Sequence, residues 1–106
     1  MKVRFSEQAI RCRATSAELQ QLLTGRALTL ELSLPRDRKF LVNVRPAALE
    51  AWQLDSDPTG IWIAIPRSQL QALAETVPSR EGIEHSFETA QGGLAVTFEV
   101  DLKKSL

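Results

Sequence analysis

Two stretches of this chain resemble each other at a distance of 51 residues. Residues 10–23 read IRCRATSAELQQLL, and residues 61–74 read IWIAIPRSQLQALA. In both, the alternation of a half-buried strand leads into the apolar spacing of an amphipathic helix. A repeat of this kind predicts two similar halves related by a pseudo-two-fold axis, at about residues 1–46 and 47–106. It constrains the fold and leaves the chemistry open.

The length and composition predict one soluble domain, residues 1–106. Apolar residues make up 43% of the chain and charged residues 25%, which is ordinary for a globular domain with a single core. Cys12 is the only cysteine, so no internal disulfide can form. The opening MKVRFSEQ lacks the apolar region of a secretory signal, and no apolar run reaches the roughly 18 residues of a membrane span. We therefore expect a cytoplasmic protein.

The N-terminal hairpin has a register that its own side chains fix. Residues 2–5 and 9–14 alternate with period two. If Phe5 lies opposite Ile10, the apolar side chains share one face, and a shift by one residue would separate them. The opposite face then carries four cations, Lys2, Arg4, Arg11 and Arg13.

Each half also predicts a helix. Thr15 and Glu18 have the spacing of a capping box, and Gly25 is placed to end the first helix in the left-handed conformation. In the second half, Pro66 suits a first helical turn and Pro78 ends the pattern.

The remaining alternating segments complete a β-β-α-β-β order in each half. They cover residues 28–34, 40–45, 51–54, 61–65, 81–89 and 94–102. Because turn-forming residues join neighbouring segments as hairpins, we expect an α+β fold with an antiparallel, barrel-like or curled sheet of about eight strands and two short helices. The clearest turn is Ala90-Gln91-Gly92-Gly93.

The charges divide unevenly although the net charge is zero. Residues 1–45 hold nine cations and four acids, a balance of +5, and residues 46–106 hold four cations and nine acids, a balance of −5. With Phe87 opposite Leu94, the last hairpin has an acidic outer face. Its acids are Glu84, Glu88, Glu99 and Asp101.

Three interpretations of the basic hairpin remain open, because like charges directly opposite each other destabilise a strand pair. The cations bind an anionic ligand or an acidic partner. They form an ion ladder with the acidic last hairpin. They take part in pairing between two molecules, head to tail or by a two-fold axis.

A second basic feature is the predicted hairpin tip at residues 35–39, with Arg36 and Arg38 as candidate anion or nucleic-acid contacts. No aromatic residues are interleaved with these cations for base stacking. The isoelectric point near 6.6 lies below the basic range of nucleic-acid-binding domains. Nucleic acid is therefore disfavoured as a partner, and we expect a protein partner or a homodimer.

No catalytic or metal-binding constellation stands out. His85 falls on the inward parity of its strand, as a partly buried structural histidine does, and Cys12 lies on the apolar face of its hairpin. A nucleophilic pair of these two residues is formally open, but one histidine and one cysteine cannot form the usual zinc site. Trp62 is either covered by a helix or exposed as a binding anchor. We predict no metal and no cofactor.

The opening MKVRFSEQAIRCRATSAELQQLLTG resembles a family of small uncharacterised bacterial proteins. Its members share a Lys-x-Arg hairpin, an Ile-Arg-x-Arg strand and a short helix. The ending FEVDLKKSL is similar to the family's closing strand, with Glu99 and Asp101 in place and Val100 and Leu102 departing from its pattern. The resemblance implies a cytoplasmic bacterial protein and implies no activity.

The sequence favours a non-enzymatic binding or protein-interaction module with a basic N-terminal hairpin and an acidic C-terminal hairpin. Two alternatives stay open. One is a small-molecule-binding protein or enzyme that uses a cavity between the two halves. The other is a nucleic-acid accessory protein.

Overall fold

A computed structural model of the chain describes residues 1–76 and 82–101. It has eight strands and two helices in the order predicted, and it confirms the α+β class. The strands are β1 (Lys2–Ser6), β2 (Ala9–Ala14), β3 (Leu28–Leu34), β4 (Arg38–Ala47), β5 (Gln53–Asp57), β6 (Gly60–Pro66), β7 (Ile83–Thr89) and β8 (Gly92–Val100); the helices are α1 (Ser16–Leu23) and α2 (Arg67–Glu75).

The strands form two four-stranded sheets. Sheet I has the order β1-β2-β8-β7, and sheet II has the order β3-β4-β6-β5. Each sheet takes one hairpin from the first half of the chain and one from the second. The inner strands of these hairpins run in the same direction, so the β2–β8 and β4–β6 pairs are parallel. The expectation of a purely antiparallel sheet was therefore wrong at both central pairs.

The described strands do not close into a barrel. Sheet I ends at β1 and β7, and sheet II ends at β3 and β5. The two helices cover the apolar faces instead. Their buried leucines form one core cluster with the inner faces of both sheets. Members of that cluster include Leu22 and Leu70 from the helices, Phe98 from sheet I and Ile63 from sheet II.

Helix α1 begins as its sequence predicted. The Thr15 hydroxyl accepts from the Glu18 N–H at 3.1 Å, and the Glu18 carboxylate accepts from the Thr15 N–H at 2.9 Å. The second Glu18 oxygen accepts from the Met1 amino group at 2.6 Å. Gly25 follows the helix with φ of 96°, which favours glycine. The predicted end of α2 at Pro78 lies outside the described residues.

The hairpin registers agree with the sequence-based ones. Phe5 lies opposite Ile10, and Phe87 lies opposite Leu94. The last turn is shorter than predicted, because Thr89 already pairs with Gly92. The two glycines of the predicted turn therefore belong to β8.

Candidate anion-binding surface

The outward face of the β1–β2 hairpin carries two opposed pairs of cations. Lys2 lies opposite Arg13, and Arg4 lies opposite Arg11. The tight turn between the strands holds this register, with Gln8 in the left-handed region at φ of 57°. We call the outward face formed by these four cations the basic face.

The basic face surrounds a shallow depression of about 230 Å³. Its described lining residues are Lys2, Val3, Arg4, Arg11 and Arg13. This volume lies below the roughly 300–1,000 Å³ of pockets for drug-sized ligands. It suits a small anion, or one acidic group of a larger partner, in a concave region of positive potential.

One of the four cations is already paired. The Arg13 guanidinium donates to Glu99 Oε1 from Nε at 2.9 Å and from Nη2 at 2.8 Å. These hydrogen bonds and the charge of Glu99 raise the pKa of Arg13, and Asp101 adds a further attraction. The predicted ion ladder between the two hairpins thus contains one cross-strand ion pair among the described residues.

In the part of the chain that the structure describes, the other three cations have no acidic neighbour of this kind. Within residues 1–76 and 82–101, no carboxylate oxygen lies within 4.0 Å of the charged groups of Lys2, Arg4 or Arg11. Arg11 lies beside Thr97 on β8, whereas Arg13 lies beside Glu99. Arg13 is neutralised and Arg11 is not, because Glu99 is charged and Thr97, two positions earlier on β8, is not.

The four predicted acidic residues lie on two different elements, two on the edge strand β7 and two at or just after the end of β8. Glu84 and Glu88 lie on the outward face of the edge strand β7, and both are exposed. Glu84 accepts a long hydrogen bond of 3.5 Å from the Thr97 hydroxyl. Glu99 lies near the end of β8. Asp101 directly follows the strand, and its N–H donates to the Ala14 carbonyl at 2.6 Å.

The second predicted basic feature lies on the other sheet. Arg36 and Arg38 are exposed at the β3–β4 turn of sheet II and do not line the depression. Arg36 and Asp37 both have positive φ, at 65° and 58°. The structure therefore does not join this tip to the basic face.

A model of the family of unknown function DUF7009 matches residues 1–104. The chain belongs to this family. The predicted resemblance to an uncharacterised family is thereby confirmed. No curated protein and no solved structure matched the chain.

In this DUF7009 protein, Cys12 and His85 do not form a nucleophilic pair. Strand β8 lies between their strands, which separates their backbones by about 10 Å. Cys12 is 1% exposed, as expected for a core residue. Burial raises its pKa to about 11.

His85 is exposed, which corrects the expectation of partial burial, because its strand β7 forms an edge of sheet I. Its ring nonetheless has structural partners. It stacks on Trp52 with centroids 5.7 Å apart and contacts the edge of Phe87 at 4.7 Å. Trp52 is buried and donates from Nε1 to Gln69 at 2.9 Å. The sequence placed Trp52 in a predicted strand at residues 51–54, whereas the structure begins β5 at Gln53, and the pattern gave no sign that Trp52 stacks on His85.

Trp62 is neither fully covered nor fully exposed. It is half-buried on β6, beside Asn43 on β4 and Asp55 on β5. Among the described residues of this family member, no helix has the length and apolarity that crossing a bilayer requires.

Proposed function

We propose that this protein is a non-enzymatic binding module whose binding surface is the basic face of the β1–β2 hairpin. The ligand is an anionic group, either a small anion or an acidic side chain of a protein partner. The observation that carries the proposal is the depression lined by Lys2, Arg4 and Arg11, which have no carboxylate nearby among the described residues.

This arrangement opposes strand pairing unless something anionic binds to it. Arg4 and Arg11 are direct cross-strand neighbours, and like charges in such positions destabilise the pair by a few tenths of a kcal/mol to about 1 kcal/mol. A bound anion attracts both cations and so offsets the repulsion between them. A chain that keeps the cations together thus gains stability when its partner is present.

The second half of the chain supports the view that the fold does not require these cations. Hairpin β5–β6 repeats the register of β1–β2 at an offset of 51: Lys2 opposite Arg13 corresponds to Gln53 opposite Ala64. At the positions of the four cations it carries Gln53, Asp55, Trp62 and Ala64. The same local structure therefore forms without a basic face.

We further propose that the single domain is an internal duplication with halves at about residues 1–46 and 47–106. The parallel strand pairs support the duplication. Strand β2 pairs with β8 through Ile10 opposite Val96, and its counterpart β6 pairs with β4 through Ile61 opposite Val42. Near the start of each half, a hydrogen bond also joins two residues 17 positions apart: Met1 donates to Glu18, and Trp52 donates to Gln69. A reducing, cytoplasmic setting in a bacterium fits the free Cys12 and is part of the same proposal.

Binding is tested by thermal shift and calorimetry at low salt. The probes are inorganic phosphate, nucleotides, RNA and DNA oligomers, and an acidic peptide. A probe at about 100 times its dissociation constant should add roughly 2.7 kcal/mol to the free energy of unfolding, a shift of several degrees. A response to nucleotides or oligomers alone would favour the nucleic-acid alternative.

Matched variants locate the site. Because charged hydrogen bonds contribute about 1.5–3 kcal/mol, Arg4→Gln or Arg11→Gln should weaken binding by about tenfold or more. The control is Arg45→Gln, which removes an exposed cation from β4 of sheet II and should leave the affinity unchanged. No response to any anionic probe, or equal losses in all three variants, would overturn the proposal.

A further inference from the structure

The two edges of sheet I carry opposite charges. The described part of the sheet ends at β1 on one side and at β7 on the other. Strand β1 directs Lys2 and Arg4 to the outward face, and β7 directs Glu84 and Glu88 to the same face. All four side chains are exposed.

These edge charges cannot neutralise each other within one molecule. Three strand spacings separate β1 from β7, which amounts to about 14 Å. This distance exceeds the screening length of about 8 Å at physiological ionic strength. The ion pair between Arg13 and Glu99 forms because their strands are direct neighbours; the charges on the outer strands remain available.

The backbone at each edge can be assigned from the central hydrogen bonds. The Ala95 N–H donates to the Gln8 carbonyl, and the Asp101 N–H donates to the Ala14 carbonyl. Even-numbered residues of β2 therefore direct their backbone groups toward β8, and odd-numbered ones toward β1. It follows that the Val3 and Phe5 backbone groups point to the free side of β1.

By the same alternation, odd-numbered residues of β8 bond to β2 and even-numbered ones to β7. Val96 thus pairs through its backbone with His85. On the free side of β7, the backbone groups belong to the outward residues Glu84, Ser86 and Glu88. The free groups of β1 belong to inward residues, and those of β7 to outward ones.

This combination fits a parallel pairing between the two edges. In a parallel pair of strands, a residue whose backbone groups hydrogen-bond to the partner strand lies opposite a residue whose backbone groups point away from that pair. With Lys2 opposite Glu84, Arg4 lies diagonal to both Glu84 and Glu88. Phe5, which is 49% exposed, then lies opposite Phe87 on the inward side.

Pairing of identical edges is disfavoured. In the antiparallel β1–β1 register that pairs Val3 with Phe5 of the second copy, Arg4 lies opposite Arg4 of that copy. In the β7–β7 register centred on Ser86, Glu84 lies opposite Glu88 of the second copy. Like charges in these positions destabilise the pair. The edge charges therefore favour pairing of a basic edge with an acidic edge.

We propose that the acidic partner of the basic face is a second copy of this chain, with β7 of one molecule adding in parallel to β1 of the next. The inference rests on the proposed function and names its partner. Each molecule keeps one edge of each kind, so the contact is head to tail and extends from molecule to molecule into a closed ring or an open filament.

Sedimentation velocity at low salt tests this with two proteins, each altered at one edge. The double variant Lys2→Gln/Arg4→Gln removes the cations of the β1 edge, and the double variant Glu84→Lys/Glu88→Lys reverses the charges of the β7 edge. We expect the wild type to form species larger than a dimer as concentration rises. Each altered protein alone should stay monomeric, and a mixture of the two should stop at a 1:1 heterodimer that 0.5 M salt dissociates.

The matched control is Asp55→Lys, a reversal on the edge strand β5 of sheet II, which should associate as the wild type does. The heterodimer also shows that both altered proteins are folded. A wild type that stays monomeric at low salt, or altered proteins that self-associate as it does, would overturn the inference. Phosphate binding by Glu84→Lys/Glu88→Lys, whose basic face is unchanged, reports separately on the proposed function.

Discussion

The guanidinium of Arg13 donates two hydrogen bonds, of 2.9 and 2.8 Å, to one carboxylate oxygen of Glu99 on the neighbouring parallel strand. This ion pair joins the basic hairpin to the acidic one at the centre of sheet I. Solvent screens it, since the Arg13 side chain is 48% exposed, and such pairs contribute little to stability. Its larger effect is to remove one cation from the basic face.

Replacing Glu99 with glutamine should therefore raise the affinity of the basic face for anions. The substitution leaves Arg13 charged and free to contact a bound phosphate, so we expect calorimetry to show a several-fold lower dissociation constant. Glu31→Gln is the matched control, because it breaks the exposed ion pair with Lys39 on sheet II. An equal gain in both variants would point to net charge rather than to this site.

The two helices should contribute comparably to the core. Leu22 on α1 and Leu73 on α2 are 0% and 4% exposed. Because truncating a buried leucine removes apolar contacts and leaves a cavity, each alanine variant should lose about 2–5 kcal/mol in urea unfolding. Leu49→Ala, at a site that is 64% exposed, should stay within about 0.5 kcal/mol of the wild type. A loss below about 1 kcal/mol in either helix would contradict the shared core.

The local parts of the fold could be predicted because neighbouring residues determine them. The alternation of Val3 and Phe5 against Ile10 and Cys12 fixes one hairpin register. The capping box at Thr15 fixes the start of a helix. Each of these features depends on only a few neighbouring residues, or on the two-residue alternation of a strand. The structure has both features at the predicted residues.

The pairing between hairpins could not be predicted in the same way. Ala9 pairs with Ala95, 86 positions later, and every hairpin has the same alternation on its inner strand. Nothing local distinguishes which hairpins become neighbours or whether they run in parallel. For the same reason the sequence grouped four cations on one face but could not show that Arg13 pairs with Glu99 while Arg11 lies beside Thr97.

The thiol of Cys12 should be unreactive in the folded protein. Its burial raises the pKa to about 11, so about one thiol in a thousand is ionised at pH 8, and it is not accessible. Modification by a disulfide reagent should follow global unfolding in a urea series. Cys12→Ser places a hydroxyl in an apolar core and should lose about 1–3 kcal/mol. Fast modification without denaturant would contradict this account.

The Glu18 carboxylate should make stability depend on pH. Its burial alone would raise its pKa, but hydrogen bonds from the Met1 amino group and the Thr15 N–H lower it below the usual 4.5. A lowered folded-state pKa adds stability that is fully present above about pH 4.5 and is lost as the pH falls through the folded value. Glu18→Gln should therefore be less stable than the wild type at pH 7, and the difference should shrink at pH 2.5. A constant difference in urea midpoints across this range would contradict the assignment.

The long separation between β2 and β8 also matters while the chain is being made. At 5–20 residues per second, a ribosome needs about 4–17 s to synthesise the 86 positions between Ala9 and Ala95. During that time the nascent β1–β2 hairpin has no partner for its inner edge. Its cations would repel the same hairpin on a neighbouring nascent chain, which protects an unpaired strand edge from pairing with its own copies before β8 emerges.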